Sequence, residues 1–225
     1  MKSTFSKFAS LSILITLTLG LFSCEKTDDN KLADAQACLD KLRSTSLDAA
    51  ALACQSKVDG LTSPQSYVIR CSVGFFLGGI KSSSIVAAYD SYTAAPANLK
   101  VATLMGALSS NSVAQADSTF AVCQKSGVSS LIYLAALSQT GTILQDGAGG
   151  AGITDPATFI SNCANGGAGG ICNDAAIGTT VVVLYDSYCM GSAADSLVCT
   201  QINGAIQAGG GNPAAIATAL YGLLQ

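Results

Sequence analysis

The residues of this 225-residue chain best suited to chemistry are nine cysteines: Cys24, Cys38, Cys54, Cys71, Cys123, Cys163, Cys172, Cys189 and Cys199. Such a set can build a disulfide framework, hold a metal as thiolates or supply a nucleophile. The chain has no His and no Trp, and Glu25 is its only Glu. Ser-His and Cys-His triads are therefore excluded, as are His-ligated zinc or iron and a Glu pair of the glycosidase type. No two cysteines stand in a Cys-x-x-Cys pair, so neither a metal nor another cofactor is expected. Tyr89-Asp90 and Tyr185-Asp186 each set a phenol beside a carboxylate, a pairing able to move a proton. On a helix the plainer expectation is a packed ring with the Asp in water. The glycine-rich runs Gly147–Gly152 and Gly166–Gly170 match no P-loop, dinucleotide fingerprint or EF-hand, and are read as flexible loops between helices. No catalytic residue is assigned, and the chain is not expected to be an enzyme.

Charge narrows the partners. The chain carries 11 Lys and Arg against 14 Asp and Glu. Lys and Arg stop at Lys125, after which the only charged side chains are Asp146, Asp155, Asp174, Asp186 and Asp195. A half without cations is ill suited to phosphate contacts, so nucleic acid is not an expected partner.

At the N-terminus, Lys2 and Lys7 precede an apolar run from Phe8 to Phe22, the build of a secretory signal peptide. Ser10, Ser12, Thr16 and Thr18 interrupt the run, which is short for a membrane span. Leu21-Phe22-Ser23-Cys24 resembles the lipobox of bacterial lipoproteins. Phe22 stands where that family usually has a small or aliphatic residue. The resemblance covers this export segment only. It implies a signal peptide over residues 1–23, lipid on Cys24, and anchorage in the bacterial cell envelope, at the outer membrane. Glu25-Lys-Thr-Asp-Asp-Asn30 is charged and apolar-free, which predicts a flexible tether over residues 24–32. With Cys24 given to lipid, eight cysteines remain, the even number a disulfide framework needs.

The body, residues 33–225, reads as helices. Leu32, Ala35, Leu39 and Leu42 step by three and four along one face, with Cys38 beside them. Ser46 is the expected N-cap of a second helix with Asp48 in its first turn. Its stripe is Leu47, Ala51, Cys54 and Val58, and Gly60 stops it. Ser63-Pro64 starts a third helix that sets Tyr67, Cys71 and Phe75 on one face. Asp155-Pro156 and Asn212-Pro213 repeat that start signal. Further helices are predicted over 83–92, 97–108, 112–124, 129–145, 174–188, 193–207 and 213–224. Val181-Val182-Val183 has strand propensity but no partner strand, and stays helical.

The chain also matches itself. Leu61-Thr-Ser-Pro-Gln-Ser-Tyr-Val-Ile-Arg-Cys71 aligns with Ile153-Thr-Asp-Pro-Ala-Thr-Phe-Ile-Ser-Asn-Cys163. Gly78-Gly79-Ile80 corresponds to Gly169-Gly170-Ile171, and Ile85-Val-Ala-Ala-Tyr-Asp-Ser-Tyr92 to Val181-Val-Val-Leu-Tyr-Asp-Ser-Tyr188. An internal duplication is expected, with copies at about 33–116 and 117–225. The fold class is all-α: short antiparallel helical hairpins, stabilised by disulfides, in a solenoid-like array or a compact bundle. Helix adjacency favours the pairs Cys38–Cys54, Cys71–Cys123, Cys163–Cys172 and Cys189–Cys199. The duplication offers a rival scheme with Cys38–Cys71 and Cys123–Cys163, and eight cysteines permit many others.

These readings converge on a membrane-anchored envelope protein with a structural or protein-interaction role. The competing class is a small-ligand binder or an enzyme using Asp, Tyr, Ser or Lys groups. A deep pocket with convergent Asp and Tyr side chains would favour the second class, and an open helical face without one the first.

Overall fold

Capping chemistry sets several helix starts. Ser63 Oγ accepts from the Ser66 amide at 3.3 Å, with Pro64 at the first helical position. Ser112 Oγ accepts from the Gln115 amide at 3.2 Å, and Asn212 Oδ1 from the Ala214 amide at 3.0 Å, ahead of Pro213. Each side chain satisfies an amide that the first helical turn leaves without a partner. The computed structural model describes residues 25–96, 100–150, 158, 161–163, 165, 172, 175–190 and 197–223. Among these it contains ten α-helices and no strand. They are α1 (Glu25–Leu39), α2 (Asp48–Ser56), α3 (Pro64–Leu77), α4 (Ser82–Ala94), α5 (Lys100–Ala107), α6 (Val113–Ser126), α7 (Ser129–Gly150), α8 (Ala175–Leu184), α9 (Leu197–Gly209) and α10 (Pro213–Leu223). A π-helical turn, Tyr185–Cys189, continues α8. Val181, Val182 and Val183 are helical, within α8.

α7 is the hub. It packs on α5 and α6 from one side of the chain and on α8 and the π-turn from the other. Of the two architectures left open by the sequence, this is the compact bundle, since a solenoid element touches only its neighbours in the array. The main core runs through Phe75, Phe120, Leu144, Ile177, Ile216 and Tyr221, all buried. Fully burying one such side chain contributes about 1.5–3 kcal/mol. The α1–α2 hairpin lies on α3 through two smaller clusters, one of Ala35, Val58, Leu61 and Ile69, the other of Ala51, Val73 and Phe76. Arg70 fixes that junction by donating to the Val58 carbonyl at 2.8 Å.

Small residues let helices touch. Thr119 of α6 fills the space over Gly74 of α3, and Gln115 Nε2 donates to the Gly74 carbonyl at 3.2 Å. A Cβ at Gly141 would collide with the Met105 carbonyl oxygen, and one at Gly178 with that of Pro213. These contacts seat α5 on α7 and α10 on α8.

The eight cysteines downstream of Cys24 form four disulfides: Cys38–Cys54, Cys71–Cys123, Cys163–Cys172 and Cys189–Cys199. The symmetric pairs Cys38–Cys71 and Cys123–Cys163 do not form. Cys71–Cys123 instead ties α3 to α6, and α6 runs unbroken across residues 116 and 117, where the two copies divide in sequence.

Several expectations are corrected. The segment read as a tether is helical from Glu25, and Leu32 already packs against the first small cluster. Asp28 and Asp29 favour the positive end of α1, and Lys31 Nζ lies 3.9 Å from Asp28 Oδ1. Ser46 does not cap α2. The N-cap is Leu47, without a side-chain bond, and Ser46 Oγ accepts from the Arg43 amide at 2.9 Å. Leu47 is consequently 77% exposed rather than part of the buried stripe. Gly147 to Gly150 continue α7 because Leu144 and Ala148 are buried one turn apart, and packing overrides weak helix propensity. The signal segment 1–23, Cys24, most of the stretch matching Leu61–Cys71 and the run Gly166–Gly170 lie outside the described residues.

Candidate functional site

An open, mainly apolar cleft of about 320 Å³ lies between α4, α5 and α7. α4 contributes Ile85, Ala88, Tyr89 and Tyr92. Leu104 and Leu108 close the α5 side, and Tyr133, Leu134 and Leu137 of α7 form the floor. No charged side chain lines it, and its polar groups are the tyrosine hydroxyls.

The helix that forms the outer wall is held at its start and loosely packed along its length. Lys81 Nζ donates to the Ser44 carbonyl at 3.0 Å and sits 4.5 Å from the centre of the Phe76 ring. Ser84 Oγ donates to the Gly79 carbonyl at 3.1 Å, tying the first turn to the preceding loop. Beyond it, only Ala88 of α4 is buried. Ile85 is 45%, Val86 61% and Tyr89 65% exposed. At the far end Lys100 Nζ stands 5.1 Å from the Tyr92 ring centre, a cation over the negative face of an aromatic.

The matched helix in the second half meets different neighbours. Val181 and Leu184 correspond to Ile85 and Ala88, and are 3% and 6% exposed. Ile202 of α9 and Leu220 of α10 close over them, leaving a void of about 30 Å³ that Leu137 of α7 also lines. Leu137 thus faces both regions, one open and one filled.

The two Tyr-Asp pairs do not converge. Tyr89 lines the cleft while Asp90 faces water, and Tyr185 packs against the core while Asp186 is exposed. Among the described residues no three His, Cys, Asp or Glu side chains gather to hold a metal ion.

One polar constellation escaped the sequence reading. Gln139, buried in α7, donates to Asp117 Oδ1 at 2.6 Å and accepts from Thr180 Oγ1 at 2.6 Å. The chain Asp117–Gln139–Thr180 pins α6, α7 and α8 in register, with both ends of the Gln amide satisfied. The signal was present as Ser138-Gln139-Thr140, a polar break in the apolar run of α7.

No single described helix is long and apolar enough to cross a membrane. Comparison with known proteins finds no matching family model, no similar curated protein and no similar solved structure.

Proposed function

We propose that this chain is a lipid-anchored protein of the bacterial envelope, at the outer membrane, that acts by binding another protein rather than by catalysis. The observation that carries the binding role is the open apolar cleft walled by α4. The exposed side chains of Ile85 and Tyr89 gather with Tyr92 and Tyr133 in one cleft, and aromatic, uncharged centres are typical of interface cores. The anchor rests on the lipobox resemblance at Leu21–Cys24, and on cysteine parity: every cysteine downstream of Cys24 is engaged in a disulfide. Disulfides fit an exported chain. With the chain helical from Glu25 onward, the residues after Cys24 would form a stiff link to the body rather than a slack one.

A small-ligand binder is the second reading, favoured by the volume of about 320 Å³, which falls at the low end of small-molecule sites. The absence of Asp among the lining residues weighs against an acid–base enzyme at this place.

Two measurements test the proposal. Intact mass of the protein extracted from membranes should show a lipid increment on the Cys24 peptide, with thiols alkylated only after reduction. A chain that starts elsewhere without lipid sinks the anchor. A photo-crosslinking residue at Tyr89, which lines the cleft and is 65% exposed, should give one discrete protein adduct in cells, absent when the same residue stands at Asp186. Equal, diffuse labelling at both sites argues against a binding face.

A further inference from the structure

The two halves suggest what fills the cleft. In each, the helix that carries Tyr-Asp-Ser-Tyr or leads into it is followed, among the described residues, by two more: α4 by α5 and α6, α8 by α9 and α10. In the second half the third helix folds back over the first. α10 packs on α8, their N-termini meet where Gly178 admits the Pro213 backbone, and Leu220 seals Val181 and Leu184. In the first half the third helix goes elsewhere. α6 packs on α3 and α7, and the Cys71–Cys123 disulfide holds it there. Nothing in the described chain takes the place on α4 that α10 takes on α8. Ile85 and Ala88, which match Val181 and Leu184 in sequence, line the cleft, and Leu137 lines both it and the void beneath α10.

We propose that the cleft between α4, α5 and α7 seats one uncharged amphipathic helix of a partner protein, docked on α4 as α10 docks on α8. This rests on the protein-binding reading above and adds the chemistry of the partner. The α10 pattern gives its contact ridge: Ile216, Ala217, Leu220 and Tyr221 are the buried positions, spaced by one, three and four along the helix. The lining carries no charge, so a charged residue on that ridge would be buried without a counter-ion. One difference adjusts the fit. Ser82 stands where Gly178 stands in the second half. Its Cβ keeps an incoming backbone farther away, so the partner needs bulkier side chains on the ridge than α10 has. The void of about 320 Å³, against about 30 Å³ in the filled half, leaves room for them.

The absence of Trp from the chain makes the test direct. The mature chain, residues 24–225 made without the export segment and with Cys24→Ser in place of the lipidated residue, needs no detergent, and Tyr89→Trp in it reports occupancy of the cleft by a single indole fluorescence. The probe is an acetylated and amidated peptide of residues 212–224 with Ala217→Leu. Saturable quenching or a blue shift is expected, weakened about tenfold or more when the peptide also carries Leu220→Asp, since one buried leucine is at stake. Ile85→Asp in the protein should abolish the response while leaving the melting temperature unchanged, because Ile85 is 45% exposed. Three other titrants separate the competing occupants. A response to dodecanoic acid but not to the peptide overturns the proposal and the protein-binding reading together. A response to protein concentration alone, with dimers in sedimentation, replaces the partner helix by a second copy and leaves the protein-binding reading standing. A response only to phosphatidylcholine vesicles assigns the face to the membrane. Silence with all four titrants overturns the docking site.

Discussion

α4 and α8 share a sequence and not a fate. Each carries an Ile/Val-Val pair that leads into an identical Tyr-Asp-Ser-Tyr, within the helix in α4 and in the π-turn after α8, yet α8 is enclosed by α7, α9 and α10 while α4 leans chiefly on α5. The difference lies outside the matched segments. Gly178 permits backbone contact with Pro213, whereas Ser82 at the matching place is exposed. Cys71–Cys123 draws α6 to α3, while α10 is left free to cover α8. A repeated helix is thus neutral about its own burial. The elements that follow it, and one small residue, decide whether its apolar face becomes core or surface.

The largest expected effect comes from the bond that directs α6. Replacing Cys71 and Cys123 together by Ser should cost about 4 kcal/mol, because their sequence separation of 52 residues closes a long loop in the unfolded chain. The same change at Cys38 and Cys54, separated by 16 residues, should cost about 3 kcal/mol. Denaturant unfolding of the two double variants measures the gap. An order reversed from this would mean that the α3–α6 junction holds without its disulfide.

Next in size is the seat of α10. Gly178→Ala places a methyl against the Pro213 carbonyl, and overpacking of that kind should cost about 3 kcal/mol. Because α10 is lifted, limited proteolysis should cut first near Gly210 and Gly211. Val181→Ala removes apolar volume from beneath Leu220 and should cost about 2 kcal/mol. Thr180→Val removes the donor to Gln139 Oε1, with a loss of about 1–2 kcal/mol for the buried acceptor left behind. A thermal-melt series under non-reducing conditions ranks all three.

Much of this was legible in the residues. Helix starts at Ser63-Pro64 and Asn212-Pro213 were readable because a cap is local chemistry. The pairs Cys38–Cys54 and Cys189–Cys199 followed from short connections between consecutive helices. What resisted was decided by tertiary contact. Gly147 to Gly150 look like a loop until Ala148 is seen buried. Glu25 to Asn30 look like a tether until the helix they begin packs at Leu32 and Ala35. The cleft was least legible, since Ile85 and Val181 occupy the same place in nearly the same local sequence. Only the path of α6 and α10 separates them, and no local pattern encodes that path.

The smallest predicted effect sharpens the comparison most. Ile85→Ala changes the residue matched to Val181 and deletes more apolar volume than Val181→Ala does. Burial alone predicts the opposite order of cost, because Ile85 is 45% exposed and Val181 is 3% exposed. The change at Ile85 should therefore stay within about 0.5 kcal/mol of the parent, as surface substitutions do. Equal costs at the two positions would mean that α4 is packed as α8 is, and that the cleft is core rather than surface. A near-neutral Ile85→Ala that lowers affinity for the α10-like peptide would separate the two roles. The same sequence motif would then serve stability in one half and recognition in the other, because the exposed apolar wall of α4 does little for the fold.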